Sequence, residues 1–230
     1  SSIYGDVKFD SCDFIDASYD GLSMWYPDYV NFTIKYCNFS NRPGISTYYA
    51  IRCGNVTSYT GIDTCMGNKI RCTATSTNYG IFLGQTINYG GQLNGKYAYV
   101  ANNEVIIDGG TSTNYGLYWY NLGYIALYAN SVHIEGKGGT SYGFCMQNTS
   151  TSHVIKVKYN NFYINNPNGI SYTVMHTAGS FAPGLVQWDY NNHYTTGQFV
   201  ASNFTKLNDW ITASQEVTAL NERVNFIDYP

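Results

Sequence analysis

Charge is scarce in this chain. Only 12% of its 230 residues are Asp, Glu, Lys or Arg, about half the roughly 25% of an ordinary globular domain. The 12 basic residues stand singly and the formal net charge is −3. No basic stripe follows a phosphate backbone, so nucleic acid is not an expected partner. Long apolar runs are missing as well. Hydrophobic residues make up 44% of the chain, yet no stretch approaches the roughly 18 consecutive apolar residues of a membrane span. Direct membrane insertion is therefore not expected. The opening Ser1-Ser2-Ile3-Tyr4-Gly5-Asp6 contains neither a basic nor an apolar segment, so no secretion signal is visible.

Motifs for bound groups are lacking too. The six cysteines, at 12, 37, 53, 65, 72 and 145, include no Cys-x-x-Cys pair, and no His is placed to complete a tetrahedral zinc set. There is no phosphate loop, dinucleotide fingerprint or Gly-x-Ser-x-Gly elbow, so no metal and no cofactor is expected. An even cysteine count permits disulfides. Cys12 and Cys37 share one repeat position, however, and buried free thiols are the reading adopted. The Asn-x-Ser/Thr matches at Asn31, Asn38, Asn55, Asn148 and Asn203 follow from richness in Asn and Thr and carry little weight.

What the chain has is Tyr (24), Gly (23), many Asn, and a repeat. The pattern apolar, x, apolar, x, x, small or Asn, x, apolar recurs as Val7/Phe9/Cys12/Phe14, Phe32/Ile34/Cys37/Phe39, Asp63/Cys65/Asn68/Ile70, Ala98/Val100/Asn103/Val105, Ile125/Leu127/Asn130/Val132, Ile155/Val157/Asn160/Phe162 and Val186/Trp188/Asn191/His193. Asp63 and His193 break the apolar rule. Successive third members are 25, 31, 35, 27, 30 and 31 residues apart, too irregular for a helical-repeat array but natural for coils with unequal loops. Alternation inside each unit marks strands. Two short strands meeting at Asn describe a bend, because Asn tolerates left-handed backbone and bonds neighbouring peptides. Stacked coils would place Asn68, Asn103, Asn130, Asn160 and Asn191 about 4.8 Å apart as a ladder. Cys12 and Cys37 continue that column.

A second column supports the register. Tyr79-Gly80-Ile81, Tyr115-Gly116-Leu117 and Tyr142-Gly143-Phe144, with Asp20-Gly21-Leu22 and Asn168-Gly169-Ile170 as shorter variants, are expected to open a third strand, the glycine supplying a positive-φ turn. The expected fold is all-β, a right-handed parallel β-helix of about seven coils over residues 1–195, followed by a capping segment, 196–230. In that segment Thr205 can N-cap a short helix over 206–213 that buries Leu207, Trp210 and Ile211. Val7 and Phe9 begin a rung at once, which leaves an open first coil and predicts a neighbouring domain or an oligomer partner there.

Three segments, Ala101-Asn102-Asn103-Glu104-Val105-Ile106-Ile107, Ala129-Asn130-Ser131-Val132-His133-Ile134 and Tyr159-Asn160-Asn161-Phe162-Tyr163-Ile164, resemble the pectin-lyase-like superfamily of right-handed parallel β-helices. The likeness is to surface-associated β-helix proteins of gut Bacteroidetes and spans about residues 7–195. The segment Asp189-Tyr190-Asn191-Asn192-His193-Tyr194, followed by Leu207-Asn208-Asp209-Trp210, looks like the closing part of such proteins. The resemblance implies an extracellular or cell-surface location. The Asn-Thr-Asp, Asp-Asp, Gly-His-Gly and Arg-Ile-Lys patterns of the superfamily's polygalacturonase-like hydrolases are absent.

Two surface constellations stand out. Asp108 and Glu135 follow Ile107 and Ile134 at one repeat position and would be rung neighbours, with Lys137 and His133 nearby. Two such carboxylates can split their pKa values and serve as acid and nucleophile, although both precede Gly-Gly turns where solvated acids are ordinary. His153, His176 and His193 show no convincing partner. Phe82 and Tyr118 should be adjacent in an outward column with Arg52 below and Tyr120 two residues along, a strip that can stack on pyranose rings or stabilise the sheet itself. The leading expectation is a non-enzymatic β-helix module that binds a glycan or adheres to a surface. The alternatives are a polysaccharide lyase or glycoside hydrolase, and a structural fibre or phage tailspike segment.

Overall fold

A strand that alternates inward apolar with outward polar residues can bury one face only, so each rung must fold its strands around a shared interior. The computed structural model, which describes residues 6–25, 31–54, 64–84, 98–120, 125–147, 155–176, 186–196 and 199–201, is a parallel β-solenoid. Three sheets of seven parallel strands run along it, and every rung gives one strand to each. The first sheet holds Asp6–Asp10, Asn31–Lys35, Thr64–Met66, Ala98–Ala101, Ile125–Tyr128, Ile155–Lys158 and Val186–Asp189. The second holds Asp13–Ala17, Asn38–Asn41, Lys69–Cys72, Glu104–Gly109, Ser131–Gly136, Asn161–Asn165 and Asn192–Thr195. The third holds Asp20–Trp25, Thr47–Gly54, Thr77–Gly84, Thr113–Tyr120, Thr140–Gln147, Ile170–His176 and Phe199–Ala201. Asp63 and the expected helix over 206–213 lie outside the described residues.

The three inner faces meet in one apolar column that includes Phe32, Phe39, Ile51, Ile81, Trp119 and Phe144, all buried. The first rung is less covered: Val7, Phe9, Cys12 and Phe14 pack on the core but are only partly buried. His193, which breaks the repeat's apolar rule, does have a partner. It is fully buried, its Nδ1 lies 3.1 Å from the Thr173 hydroxyl, and its ring stacks on Phe162 at 5.7 Å.

The corner between the first and second sheets carries the Asn ladder. The Nδ2 groups of Asn68, Asn103, Asn130 and Asn160 each donate to the Oδ1 of the next rung's Asn at 2.9 Å. The same oxygen also accepts the backbone N–H of the rung before it, at 3.0 to 3.1 Å. Each Nδ2 reaches back as well, to the carbonyl of Ile34, Cys65, Val100 or Leu127 in the preceding rung. Buried amides are thus satisfied on both ends, which removes a cost of about 1 to 3 kcal/mol per orphaned group.

The bend itself is made differently from the expectation. The left-handed residue is the one before the ladder position, not the Asn. Ser11, Tyr36, Gly67, Asn102, Ala129, Tyr159 and Tyr190 all have φ between 52° and 66°. Six of these seven are not glycine, and a side chain in that conformation costs roughly 1 to 2 kcal/mol. From Tyr36 to Tyr159, the N–H of the residue that follows is held by the amide oxygen of the next rung's Asn, which fixes the backbone there.

The glycine column also has another cause. Gly80, Gly116 and Gly143 are not among the positive-φ residues. They sit within the third-sheet strands, which open three residues earlier at Thr77, Thr113 and Thr140. Glycine is needed because nothing else fits: a Cβ on Gly116 would collide with Val132 and stand 2.7 Å from the Gly143 carbonyl oxygen. The Asn168-Gly169-Ile170 segment is not a member of this column. Tyr142 pairs with Tyr172 and Phe144 with Val174, so Thr173 holds that place, and Ile170 pairs instead with Thr140. A second interior ladder lies at the opening of the third sheet, where Asn78 donates to Asn114 at 3.0 Å and Asn114 to the Ser141 hydroxyl at 3.3 Å.

Replacing Asn130 by Ala strips partners from the Asn103 N–H, the Asn103 amide and the Val100 carbonyl, and urea unfolding is expected to show a loss of about 3 kcal/mol or more. Ala129→Gly relieves left-handed strain and is expected to raise stability by about 0.5 to 1 kcal/mol. Gly116→Ala overpacks the core and is expected to lower it by about 2 kcal/mol.

Candidate functional site

The outward face of the third sheet is aromatic. Tyr49, Tyr79, Tyr115, Tyr142 and Tyr172 occupy one register column, and successive rings stack with centroids 4.3, 4.7, 4.9 and 5.4 Å apart. In the neighbouring column Arg52 pairs with Phe82 and Phe82 with Tyr118, as the repeat predicts. Phe82 and Tyr118 lie 4.8 Å apart and lean onto the tyrosine stack, Phe82 on Tyr79 at 5.6 Å and Tyr118 on Tyr115 at 4.8 Å. Tyr118 is 9% exposed, and its hydroxyl donates to Gln147 at 2.6 Å. The Arg52 guanidinium lies 4.8 Å from the Tyr49 ring centre, while Tyr120 stands level with Gly84 and Gln147. These rings spend much of their area on one another. Burial accordingly pushes the hydroxyls of Tyr49, Tyr79, Tyr115, Tyr118 and Tyr142 above their ordinary range.

Ionisable groups gather on the outward face of the second sheet. Asp108 and Glu135 are level on adjacent strands, the juxtaposition that their shared repeat position implies. Each has its own partner. Lys137 pairs with Asp108 at 3.4 Å, with both side chains about half exposed. Glu135 accepts from Asn165 at 2.5 Å through one oxygen and contacts His133 Nε2 at 2.7 Å through the other. The His133 ring meets Tyr163 edge to face at 4.6 Å, and Tyr163 stacks on Tyr194 at 4.8 Å. Lys137 thus pairs with Asp108, and His133 with Glu135. Among the described residues, no group of three His, Cys, Asp or Glu side chains could hold a metal.

Nearer the first rung, the same face has a depression of about 200 Å³. Ile15 and Ile106 give it apolar walls, and Asn38, Ser40, Lys69, Arg71 and Glu104 supply polar ones. Beside it runs the corner of left-handed residues, which throws side chains outward. Tyr36, Tyr159 and Tyr190 are 58%, 58% and 49% exposed. Tyr159 and Tyr190 stack on each other at 5.1 Å. Tyr36 is seated on the next rung: its Cδ1 and Cε1 come within 2.7 Å of where a Gly67 Cβ would stand. Gly67 is the glycine in that column, and the missing side chain gives Tyr36 its place.

The repeat alone did not point to the tyrosine stack or to Tyr36. The signal for the stack was present as x-Tyr-small-apolar at Tyr49-Ala50-Ile51, Tyr79-Gly80-Ile81, Tyr115-Gly116-Leu117, Tyr142-Gly143-Phe144 and Tyr172-Thr173-Val174, with the outer two disguised by Ala and Thr. The signal for Tyr36 was its place before a ladder residue. Comparison with protein-family models, curated proteins and solved structures finds no match, so the architecture rests on the parallel β-solenoid itself.

A phenol whose folded pKa lies above its unfolded value favours the native state below the unfolded value, and that contribution is lost as pH rises past it. For the stacked tyrosines the loss starts near the ordinary value of 10.0. Spectrophotometric titration is expected to show a set of tyrosines that ionise only together with alkaline unfolding. Reversible ionisation of all 24 near pH 10 would contradict the stack's burial.

Proposed function

We propose that this β-solenoid is an extracellular or cell-surface module that binds a glycan chain without cleaving it, along the corner between the first and second sheets. The observation that carries the reading is Tyr36, more than half exposed and seated over Gly67 beside a depression with apolar walls and a polar rim. An open aromatic ring packs against the C–H face of a pyranose. Asn38, Ser40, Lys69 and Arg71 offer hydroxyl-directed hydrogen bonds within the same patch, Arg71 through its planar fork. The depression is smaller than the roughly 300 to 1,000 Å³ of an enclosed small-molecule site. It therefore suits one unit of a chain lying across the surface.

Binding is favoured over catalysis because Asp108 and Glu135, although level, are engaged by separate partners on a solvated face. An acid and nucleophile pair needs a cleft that keeps one carboxyl protonated beside an ionised one, and these two side chains stand well exposed. The strip of Arg52, Phe82, Tyr118 and Tyr120 remains a second surface of the same chemistry, and Tyr118 contributes chiefly to packing within it.

The test is a glycan array run beside a reducing-end release assay, with neutral and uronic polysaccharides in both. Binding without release is expected. Tyr36→Ala and Arg71→Ala should each weaken it at least about tenfold, the effect of losing roughly 1.4 kcal/mol, while Asp108→Asn and Glu135→Gln leave it unchanged. Release of reducing ends that disappears in Asp108→Asn or Glu135→Gln would replace this reading with a lyase or hydrolase.

A further inference from the structure

The Asn ladder begins with two cysteines, and the first of them, Cys12, differs in environment from the other five. Cys53, Cys65, Cys72 and Cys145 are at most 1% exposed. Burial pushes the Cys65 and Cys72 thiols up and the Cys145 thiol up to about 12, so they are shielded from solution oxidants and held protonated. Cys12 is partly exposed on the less covered first rung, whereas Cys37 beneath it is as buried as the other four and burial pushes its thiol up as well, so Cys12 is the thiol that a solution oxidant meets first.

The two residues occupy the same corner position on adjacent rungs, each immediately before its second-sheet strand. The Ser11 N–H donates to the Lys35 carbonyl and the Asn38 N–H to the Cys12 carbonyl, each at 2.9 Å, one on either side of the pair. The Cys12 N–H points at Cys37 Sγ from 3.5 Å, and the two thiols donate to equivalent carbonyls of their own rungs, Cys12 to Asp10 at 3.4 Å and Cys37 to Lys35 at 3.1 Å. Neighbouring parallel strands run about 4.8 Å apart, inside the roughly 4.4 to 6.8 Å of Cα separation that a disulfide spans. The first rung also has room to adjust, since the register of its second-sheet strand shifts between Phe14 and Ala17.

We propose that Cys12 and Cys37 form an oxidisable pair, closed by exchange with a small-molecule disulfide, that staples the first rung to the second. The thiolate of Cys12 attacks one sulfur of the oxidant, giving a mixed disulfide on Cys12 and releasing one thiol. Cys37, once deprotonated, attacks Cys12 Sγ and expels the second. Two protein thiols are oxidised to one disulfide, and the oxidant is reduced to two thiols, which carry away both protons. The closed loop joins residues 25 apart in sequence, long enough for the cross-link to restrict the opened rung substantially. Oxidation thereby fastens a rung whose core side chains are only partly buried.

The experiment is incubation of the intact protein with oxidised glutathione, followed by alkylation in denaturant, digestion and mass spectrometry. The expected result is loss of two of the six thiols and one cross-linked peptide pair joining Cys12 to Cys37. Amide exchange across residues 6–17 is expected to slow about tenfold or more on oxidation, and to remain fast in both Cys12→Ser and Cys37→Ser. Six alkylated thiols, a cross-link between any other pair, or a mixed disulfide that stays on Cys12 would overturn the proposal.

Discussion

The structure depends on one amide oxygen repeated along an edge. At each corner the chain turns through a left-handed residue, and the ladder residue that follows points its backbone N–H along the solenoid axis. The Oδ1 of the next rung's Asn accepts that N–H together with the Asn side chain beneath it. One acceptor satisfies two buried donors, and the rung above repeats the arrangement. This is what allows Tyr36, Ala129 and Tyr159 to hold a conformation that ordinarily favours glycine. Without the ladder, the roughly 1 to 2 kcal/mol of strain at each corner would have nothing opposing it.

Fixing that corner fixes the rest. Every rung keeps one left-handed residue and one ladder residue there, so the two flanking sheets stay in register although the repeat intervals vary. The third sheet is then aligned closely enough for tyrosines five rungs deep to stack outside while glycines admit the core inside. The outer stack and the inner ladders work on different terms. Ring contact is tolerant of tilt, and the stacked pairs differ by more than 1 Å in spacing. The Asn-to-Asn contacts of the corner ladder hold to 2.9 Å throughout.

The fold was legible because the ladder needs Asn at one place and apolar residues at fixed offsets from it, a pattern of side chains that survives unequal loops. The corner's conformation was not. Nothing about Ala129 or Tyr159 announces a positive φ, since the cause sits in the following residue and in the next rung. The glycines of the third sheet misled for a related reason: a turn and a close backbone approach both call for Gly, and only the neighbours Val132 and Gly143 decide between them. Ile170 was placed in the wrong column because its Gly169 imitates the motif, whereas register follows Tyr172. At the surface, the adjacency of Asp108 with Glu135 and of Phe82 with Tyr118 followed directly from repeat position. Lys137 and His133 were also placed nearby, but which acid each serves, and the part of Asn165, were not legible, because side chains reach by rotamer rather than by register.

The fixed corner has one more consequence, which concerns measurement. Outward residues along this edge are carried on rungs of constant pitch, about 4.8 Å, whatever happens in the loops elsewhere. Between the exposed rings of Tyr36 and Tyr159 the edge presents only Gly67, Asn102 and Ala129, so the two rings stand four rungs apart with a low span between them. The edge is a ruler with two raised marks. A polymer whose own repeat is commensurate with that interval could rest on both at once, whereas one out of step would touch only the first.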